Sequence, residues 1–303
     1  MCNRATLKAQ LSFKNEQGKG EVRSMGKVNN SGKVKGFAFL TVIALLVLIG
    51  LADTNKVHAA TPIPSGFQPI LTDTGVTVYW KTYSNGQPDY VTVLDLRYGT
   101  LRNFTGWVYG ESVERRLLRT FWTDAVYQNT STRRTRVAIN GTFFSTTANP
   151  NTPIAFGLKA DWWRMSYGYG LGEFPGLIRT LAFDSSYGSS SIQPYDRATF
   201  DAGIPNVVGG LDPSANKSPN SWQPRTFVGV RDDDNNGDSE TVVFFSSSYA
   251  TQSWAVSILS GFGTGSKMML DGGGSTGLII DGVDKINPEN RTIPQAFIIC
   301  AGR

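Results

Sequence analysis

The segment DGGGS at residues 271–275 has the clearest potential for chemistry in this sequence. Three consecutive glycines expose backbone N–H groups and permit positive φ angles, so the segment can form a concave surface that binds an anion. Asp271 places a carboxylate at the edge of this surface. The alternative is a tight hairpin between strands at residues 267–271 and 276–281, although so short a hairpin rarely needs three glycines and a carboxylate.

Three known motifs fit this region only in part. The spacing Gly272-x-Gly274-x-x-Gly277 fits a dinucleotide-binding loop, but a strand pattern follows where that loop needs a helix. The same segment fits the nucleophile elbow, which needs a histidine, and the only histidine, His58, lies far upstream. The preceding run GFGTGSK resembles a phosphate loop but lacks the glycine next to Lys267. We therefore reject all three.

Two more polar residues stand next to predicted strands. Asn140 ends a strand and begins the run NGTFF, where its amide can orient a hydroxyl or a water, or can belong to an ordinary turn. Arg225 precedes a strand, where its guanidinium can bind a phosphate through two hydrogen bonds or can pair with a surface carboxylate. Gly209 and Gly210 end an apolar run and leave a further stretch of bare backbone.

A strand-rich fold is expected to position these groups, because short β-branched and aromatic runs alternate with Gly, Asn, Asp and Pro. Two segments with apolar residues at helical spacing predict helices, at residues 112–123 with Ser112 as the N-cap, and at 251–262. Strands and helices do not alternate strictly, so we predict an α+β fold with a strand-rich mixed β-sheet core and two or more helices. We expect nine strands, at residues 76–81, 90–96, 136–140, 177–183, 226–231, 241–246, 267–271, 276–281 and 296–300.

The N-terminal part has the pattern of an export leader. Residues 37–52 carry no charge, follow two lysines, and are followed by VHA at residues 57–59, which fits cleavage after Ala59. This apolar run is shorter than the roughly 20 residues that a spanning helix needs. We expect a secreted or periplasmic protein; the alternative is an uncleaved leader that anchors the chain outside the cytoplasm. A start at Met25 would give a leader of ordinary length.

The chain is accordingly divided into a leader at residues 1–59, a linker and first strand at 60–89, and a single domain at 90–303. The leader holds nine of the 29 Lys and Arg residues and three of the 24 acids, which leaves 20 basic and 21 acidic residues. This balance provides no basic domain for nucleic acid. With no histidine after the leader, a catalytic triad and a His-ligated zinc are excluded. Cys300, alone in an apolar run, is expected to be a small core residue.

Several segments, taken in order, resemble the phosphodiester glycosidase family. They are VLDLRY at 93–98, AINGTFF at 138–144, VVGG at 207–210, PRTFVGV at 224–230 and MMLDGGGST at 268–276. The resemblance covers about residues 90–302. It implies an exported hydrolase of the sugar–phosphate bond in a glycosyl phosphodiester or a related cell-surface glycan, with a carbohydrate or glycosyl-phosphate partner and no required cofactor.

By matching position, the resemblance also implies a set of site residues. The expected catalytic residues are Asp271, Asn140 and Arg225. The expected substrate-binding residues are Gly141, Phe143, Phe144, Gly209, Gly210, Gly272, Gly273, Gly274 and Ser275.

A phosphate leaving group is stable as an anion, so the site needs charge stabilisation more than a general acid. We expect Arg225 and the glycine N–H groups to hold the phosphate, and Asp271 to act as base or as electrostatic stabiliser. Asn140 would fix a sugar hydroxyl or the attacking water, and Phe143 or Phe144 would stack on the sugar.

Two other functions stay open at this point. One is a non-catalytic carbohydrate- or envelope-binding protein on the same fold, with Trp107, Trp162, Trp163 and Trp222 as stacking surfaces, although most of these are expected in the core. The other is a phosphodiesterase that cleaves the P–O bond. The lack of histidine and of a dense metal-binding cluster speaks against it.

The run DDDNNGDSE at residues 232–240 has the spacing of a calcium loop. Asp232, Asp234, Asn236 and Asp238 stand at positions 1, 3, 5 and 7 of an EF-hand loop, with a glycine at position 6. Val243 stands where the bidentate glutamate of position 12 belongs. The sequence leaves two alternatives, a calcium site or a solvated hairpin tip.

Overall fold

The computed structural model describes residues 62–287 and 290–303, so the predicted leader and its Met25 start lie outside the described residues. The structure is 47% strand and 12% helix, which confirms the strand-rich α+β class. The helices are α1 (Leu118–Tyr127), α2 (Arg197–Asp201) and α3 (Gln252–Gly261), and Gly273–Ser275 forms a 3-10 turn. The strands are β1 (Gln68–Asp73), β2 (Val76–Thr82), β3 (Pro88–Asp95), β4 (Gly99–Thr105), β5 (Val108–Tyr109), β6 (Ser112–Glu114), β7 (Arg133–Asn140), β8 (Asn151–Pro153), β9 (Leu158–Ala160), β10 (Trp163–Ser166), β11 (Ile178–Asp184), β12 (Ser189–Pro194), β13 (Asn206–Leu211), β14 (Gln223–Arg231), β15 (Thr241–Ala250), β16 (Lys267–Met269), β17 (Leu278–Ile280), β18 (Val283–Ile286) and β19 (Gln295–Gly302).

The strands form three sheets, and every strand pair in the described ranges is antiparallel, where a mixed sheet was expected. The largest sheet has eleven strands, with the order β1-β2-β3-β15-β14-β16-β13-β11-β12 and with β9 and β10 attached through β13. A second sheet has the order β18-β17-β7-β19-β4, and a small one joins β5, β6 and β8.

The two larger sheets share a hydrophobic core. Phe297 of β19 packs against Phe244 of β15 and Phe183 of β11, with ring centroids 5.0 and 6.3 Å apart. The next residue of β15, Phe245, packs in a second cluster together with Leu259 of α3. Because the first part of β15 is buried on both faces, residues 242–245 form a continuous apolar run, VVFF, rather than an alternating one.

All nine predicted strands are present, but the predicted helix at residues 112–123 begins too early. Ser112 is not an N-cap: residues 112–114 form β6, which pairs with the distant β8. The helix starts after Leu117 and buries Leu118, Phe121 and Ala125. The sequence gives no sign of the long-range strand pairing that removes the first helical turn. The second predicted helix is confirmed, since the Thr251 side chain accepts a hydrogen bond from the Trp254 N–H at 3.1 Å.

The glycine-rich segment is a crossover between sheets and not a hairpin. The strand before it, β16, lies inside the eleven-stranded sheet, and the strand after it, β17, lies in the five-stranded sheet. The segment therefore crosses from one sheet to the other at the ends of both strands, beside the end of β7, which pairs with β17.

No helix in residues 62–287 and 290–303 has the length and apolar character needed to cross a membrane. Cys300 is a free, buried thiol of β19, and burial raises its pKa, as expected for a core residue rather than a nucleophile.

Gly209 lies so close to neighbouring backbone that a larger residue there should destabilise the fold. A Cβ at this position would lie 1.9 Å from the backbone carbonyl oxygen of Phe156, and backbone cannot move aside as a side chain can. Gly209→Ala should therefore cost about 3 kcal/mol and lower Tm by roughly 6–12 °C in a thermal melt. The control is Gly265→Ala, where a Cβ meets no atom within 4 Å. Equal melting of the two variants would refute the packing role of Gly209.

Candidate active site

Asp271 lies in a cavity of about 400 Å³ where the two large sheets meet. The Asp271 N–H donates to the Gly141 carbonyl oxygen at 2.9 Å, which ties the end of β16 to the end of β7. The lining residues are Phe143, Asn216, Lys217, Ser218, Gln223, Arg225, Met269, Leu270, Asp271, Gly272 and Gly273.

The surroundings of Asp271 poise its carboxyl group for proton transfer near neutral pH. Burial raises its pKa to about 6, against the lowering effects of the Ser275 hydroxyl, the Gly272 amide and the charges of Arg291 and Lys217. The Gly272 N–H donates to Asp271 Oδ1 at 2.9 Å. The Ser275 hydroxyl is buried close enough to Asp271 to lower this pKa, although its Oγ does not meet hydrogen-bond geometry with Asp271 or with any other described residue.

The glycine turn presents bare backbone to the cavity. Gly273 has a φ of +57°, a conformation that favours glycine, and no atom lies within 4 Å of where its Cβ would be. Gly273 and Gly274 are the first residues of a 3-10 turn, and the N–H groups at the start of such a turn have no hydrogen-bond acceptor within it. These amides are available to an anion in the space above them.

Two cations that the sequence analysis did not select lie near Asp271. Lys217 lines the cavity, with its Nζ 5.7 Å from the ring centroids of Phe143 and Phe174. The Arg291 guanidinium lies on Gly274, where a Cβ would be 3.0 Å from its central carbon. Among the described residues, neither cation has an ion pair with a carboxylate at salt-bridge distance. Both are therefore suited to an anionic substrate.

The Asn140 side chain does not line the cavity but holds the backbone of the site in place. Its side-chain N–H₂ donates to the Asp271 carbonyl oxygen at 2.7 Å. Its Oδ1 accepts from the Thr226 hydroxyl at 2.7 Å and from the Gly277 N–H at 3.1 Å. A single buried amide thus fixes both ends of the glycine-rich crossover and joins β7 to β14.

Arg225 is placed in the cavity wall, but its donors are occupied by backbone. Its Nη1 donates to the Lys217 carbonyl oxygen at 2.9 Å, and its Nη2 donates to the Ser218 carbonyl oxygen at 2.6 Å. The side chain is buried and burial lowers its pKa. Arg225 therefore holds the loop that carries Lys217, and the donors expected to bind a phosphate are engaged within the protein.

The remaining predicted site residues fall into two groups. Phe143 lines the cavity, while Phe144 packs in the core with the Arg115 guanidinium 5.0 Å from its ring centroid. Gly141 allows the Gln295 side chain to approach its backbone. Gly209 and Gly210 lie in the buried strand β13 and admit neighbouring backbone, so they shape the wall without lining the cavity.

Tyr169 is a further polar group near the carboxyl of Asp271. Burial raises the pKa of its phenol, and the charges of Glu173 and Asp271 raise it further. The phenol stays protonated at neutral pH and can donate a hydrogen bond to a substrate oxygen.

Two exposed tryptophans line a second cavity of about 600 Å³. Trp107 and Trp163 line it and are 72% and 78% exposed, so neither is a core residue. Trp162 is exposed beside it, at a positive φ of +74°. Trp222 instead stacks on Tyr249 with ring centroids 5.2 Å apart.

Sequence and structure comparisons relate the chain to known proteins. A sequence profile described as phosphodiester glycosidase matches residues 133–300, more than half of the chain. No curated protein sequence matches the chain. Among solved structures, a hypothetical protein from Synechocystis shares the fold, with a TM-score of 0.54, 13% identity, and coverage of 78% of this chain and 69% of that one. The zebrafish N-acetylglucosamine-1-phosphodiester alpha-N-acetylglucosaminidase catalytic domain, auto-inhibited by its pro-peptide, matches with a TM-score of 0.49, 15% identity, and coverage of 81% of this chain and 87% of that one.

Proposed function

The chain belongs to the phosphodiester glycosidase family, and we propose that it is an exported hydrolase that cleaves the sugar–oxygen bond of a glycosyl phosphodiester. The observation that carries this proposal is the juxtaposition of a carboxylate, a glycine turn with open backbone amides, and two cations that form no ion pair with a carboxylate among the described residues. The negative charge of Asp271 complements the electron-poor anomeric carbon, and the positive charges of Lys217 and Arg291 complement the negative phosphate.

The proposed reaction breaks the bond between the anomeric carbon and the phosphate oxygen. The bonding electron pair leaves with the phosphate, and a water oxygen forms the new bond to carbon. The proton of that water passes to Asp271 or to bulk water, depending on whether the carboxylate acts as base or as electrostatic stabiliser. The phosphate monoester that leaves is stable as an anion and its oxygen needs no proton, so the site requires no second catalytic acid.

Neighbouring residues place these groups. The Gly273 and Gly274 amides and the two cations receive the phosphate, and the ring of Phe143 offers an apolar face to the sugar. Asn140 and Arg225 are positioning residues, since one fixes the backbone of Asp271 and the other fixes the loop of Lys217.

The activity should depend on the ionised form of Asp271, whose pKa burial raises to about 6. In either role the carboxylate must be charged, so kcat/KM should fall about tenfold per pH unit below pH 6 and be level above about pH 7. Initial rates across this range measure it, because the phosphodiester stays anionic throughout. Activity that rises as the pH falls through 6 would contradict both roles.

The experiment that tests the function is a product assay on a panel of glycosyl phosphodiesters that vary in sugar and alcohol. The released reducing sugar is measured, and the matched control is a neutral alkyl glycoside of the same sugar. We expect turnover of the diester and not of the alkyl glycoside, whose leaving group needs a proton. Hydrolysis of both, or of neither, would overturn the proposal.

The second cavity favours one other function, non-catalytic binding of a cell-surface glycan. Exposed tryptophans can stack on the apolar faces of sugar rings, and polar side chains from the neighbouring strands surround them. If this is the function, the wild type binds the polymer in calorimetry, Trp107→Ala/Trp163→Ala loses that binding, and no glycosyl phosphodiester is turned over. Turnover that the double variant retains would assign the main function to the Asp271 cavity.

A further inference from the structure

The loop between β14 and β15 gathers three carboxylates at its tip. One carboxylate oxygen from each of Asp232, Asp234 and Glu240 lies within 4.8 Å of the others. Such a group is common on surfaces without any ion, so the group alone indicates nothing about a ligand. Glu240 provides the distinguishing observation.

Glu240 is only 6% exposed, and one of its carboxylate oxygens has no hydrogen-bond partner among the residues that the structure describes. Its Oε2 accepts from the Asp233 N–H at 2.9 Å, whereas Oε1 is buried and has no hydrogen-bond partner within the described ranges. A buried carboxylate oxygen without a donor is costly. A cation among the three carboxylates would satisfy it.

Two arginines lie beside this loop. Asp233 forms ion pairs with Arg97 and Arg231. Its side chain also accepts from the Thr241 hydroxyl at 2.8 Å. The Arg97 guanidinium also feels the charge of Glu240, which offsets part of the negative charge but supplies no hydrogen bond to Oε1.

The order of the ligands along the chain fits a calcium loop better than the sequence suggested. Counting Asp232 as position 1 of an EF-hand loop, Asp234 is position 3 and Glu240 is position 9. Gly237, at position 6, has a φ of +99° and makes the sharp turn that this position requires. The carboxylate of Asp238 is outside the group; position 7 of such a loop contributes a backbone carbonyl instead.

We propose that residues 232–240 bind a calcium ion through Asp232, Asp234 and Glu240, with Asn236 and the Asp238 carbonyl completing the oxygen ligands. A calcium ion accepts six to eight oxygens in a flexible geometry, whereas magnesium demands a strict octahedron. The loop joins two adjacent strands of the eleven-stranded sheet, so the ion stabilises the fold and takes no part in catalysis.

The test uses the full-length chain after treatment with a chelator, with calcium chloride and magnesium chloride added separately. A site of the affinity common in extracellular modules, with Kd near 10⁻⁴ to 10⁻³ M, should raise Tm by roughly 3–10 °C at about 10 mM calcium. Magnesium at the same concentration should raise it by less than half as much. No calcium-dependent change, or an equal change with magnesium, would overturn the proposal.

Two variants locate the effect. Glu240→Gln should lose the calcium response, and its Tm without calcium should equal or exceed that of the wild type, because a buried carboxylate is neutralised. The matched control, Asp238→Asn, removes the same charge from the same loop and should keep the response. A response that survives Glu240→Gln, or one that Asp238→Asn also abolishes, would show that these carboxylates do not act as the proposed ligands.

Discussion

Replacing Asp271 with Asn should lower kcat/KM for a glycosyl phosphodiester by at least about 10³-fold while the fold stays intact. The amide has the shape of the carboxylate, and its oxygen can still accept from the Gly272 N–H. It lacks the charge that the electron-poor anomeric carbon requires and the basicity that water requires. Rates of the purified variant and the wild type, measured above pH 7, check this expectation.

The stability of this variant separates a catalytic effect from unfolding. Burial raises the pKa of Asp271 above its value in the unfolded chain, so ionisation at neutral pH destabilises the folded state. Asp271→Asn should therefore keep Tm within about 2 °C of the wild type or raise it. Glu173→Gln, which removes another charge near Tyr169, serves as control and should change kcat/KM by less than about tenfold. Near-normal turnover by Asp271→Asn would remove Asp271 from the mechanism.

The double substitution Lys217→Met/Arg291→Met should lower kcat/KM for the phosphodiester by roughly 10²- to 10⁴-fold. Each cation can form a charge-assisted hydrogen bond worth about 1.5–3 kcal/mol to the phosphate, and the charge on the leaving oxygen grows in the transition state. Methionine keeps most of the volume of the side chains and removes the charge. The two single variants should each account for part of the loss.

An uncharged substrate tests whether the cations act on the phosphate. A nitrophenyl glycoside of the same sugar releases nitrophenolate in place of a phosphate. The double variant should therefore change its turnover by less than about tenfold. Equal losses on both substrates would mean that Lys217 and Arg291 maintain the structure of the cavity and do not bind the leaving group.

The sequence predicts the strands and the glycine-rich turn well because the information for both is local. The nine predicted strands follow from short apolar runs, and bare backbone beside Asp271 follows from three glycines. The helix expected from residue 112 is shortened by pairing with residues 151–153, a contact between distant parts of the chain. The local periodicity of the sequence carries no information about such a contact.

The roles of the cations show the same limit within the site. Arg225 stands in a segment typical of the family, yet the carbonyl groups of the loop just before it occupy its donors. Lys217 has no distinctive sequence neighbours, and Arg291 follows the run NPEN at residues 287–290. Only the tertiary structure brings these two charges to Asp271, so no pattern in the sequence selects them.

The bond that is broken provides the most direct test of the proposed function. A glycosyl phosphodiester is hydrolysed in water enriched in oxygen-18. The phosphate and the sugar are then examined by mass spectrometry, before the anomeric hydroxyl of the sugar can exchange its oxygen with water. Cleavage of the sugar–oxygen bond through Asp271 predicts an unlabelled phosphate monoester and a labelled anomeric hydroxyl. Label in the phosphate would mean attack at phosphorus and would contradict the account.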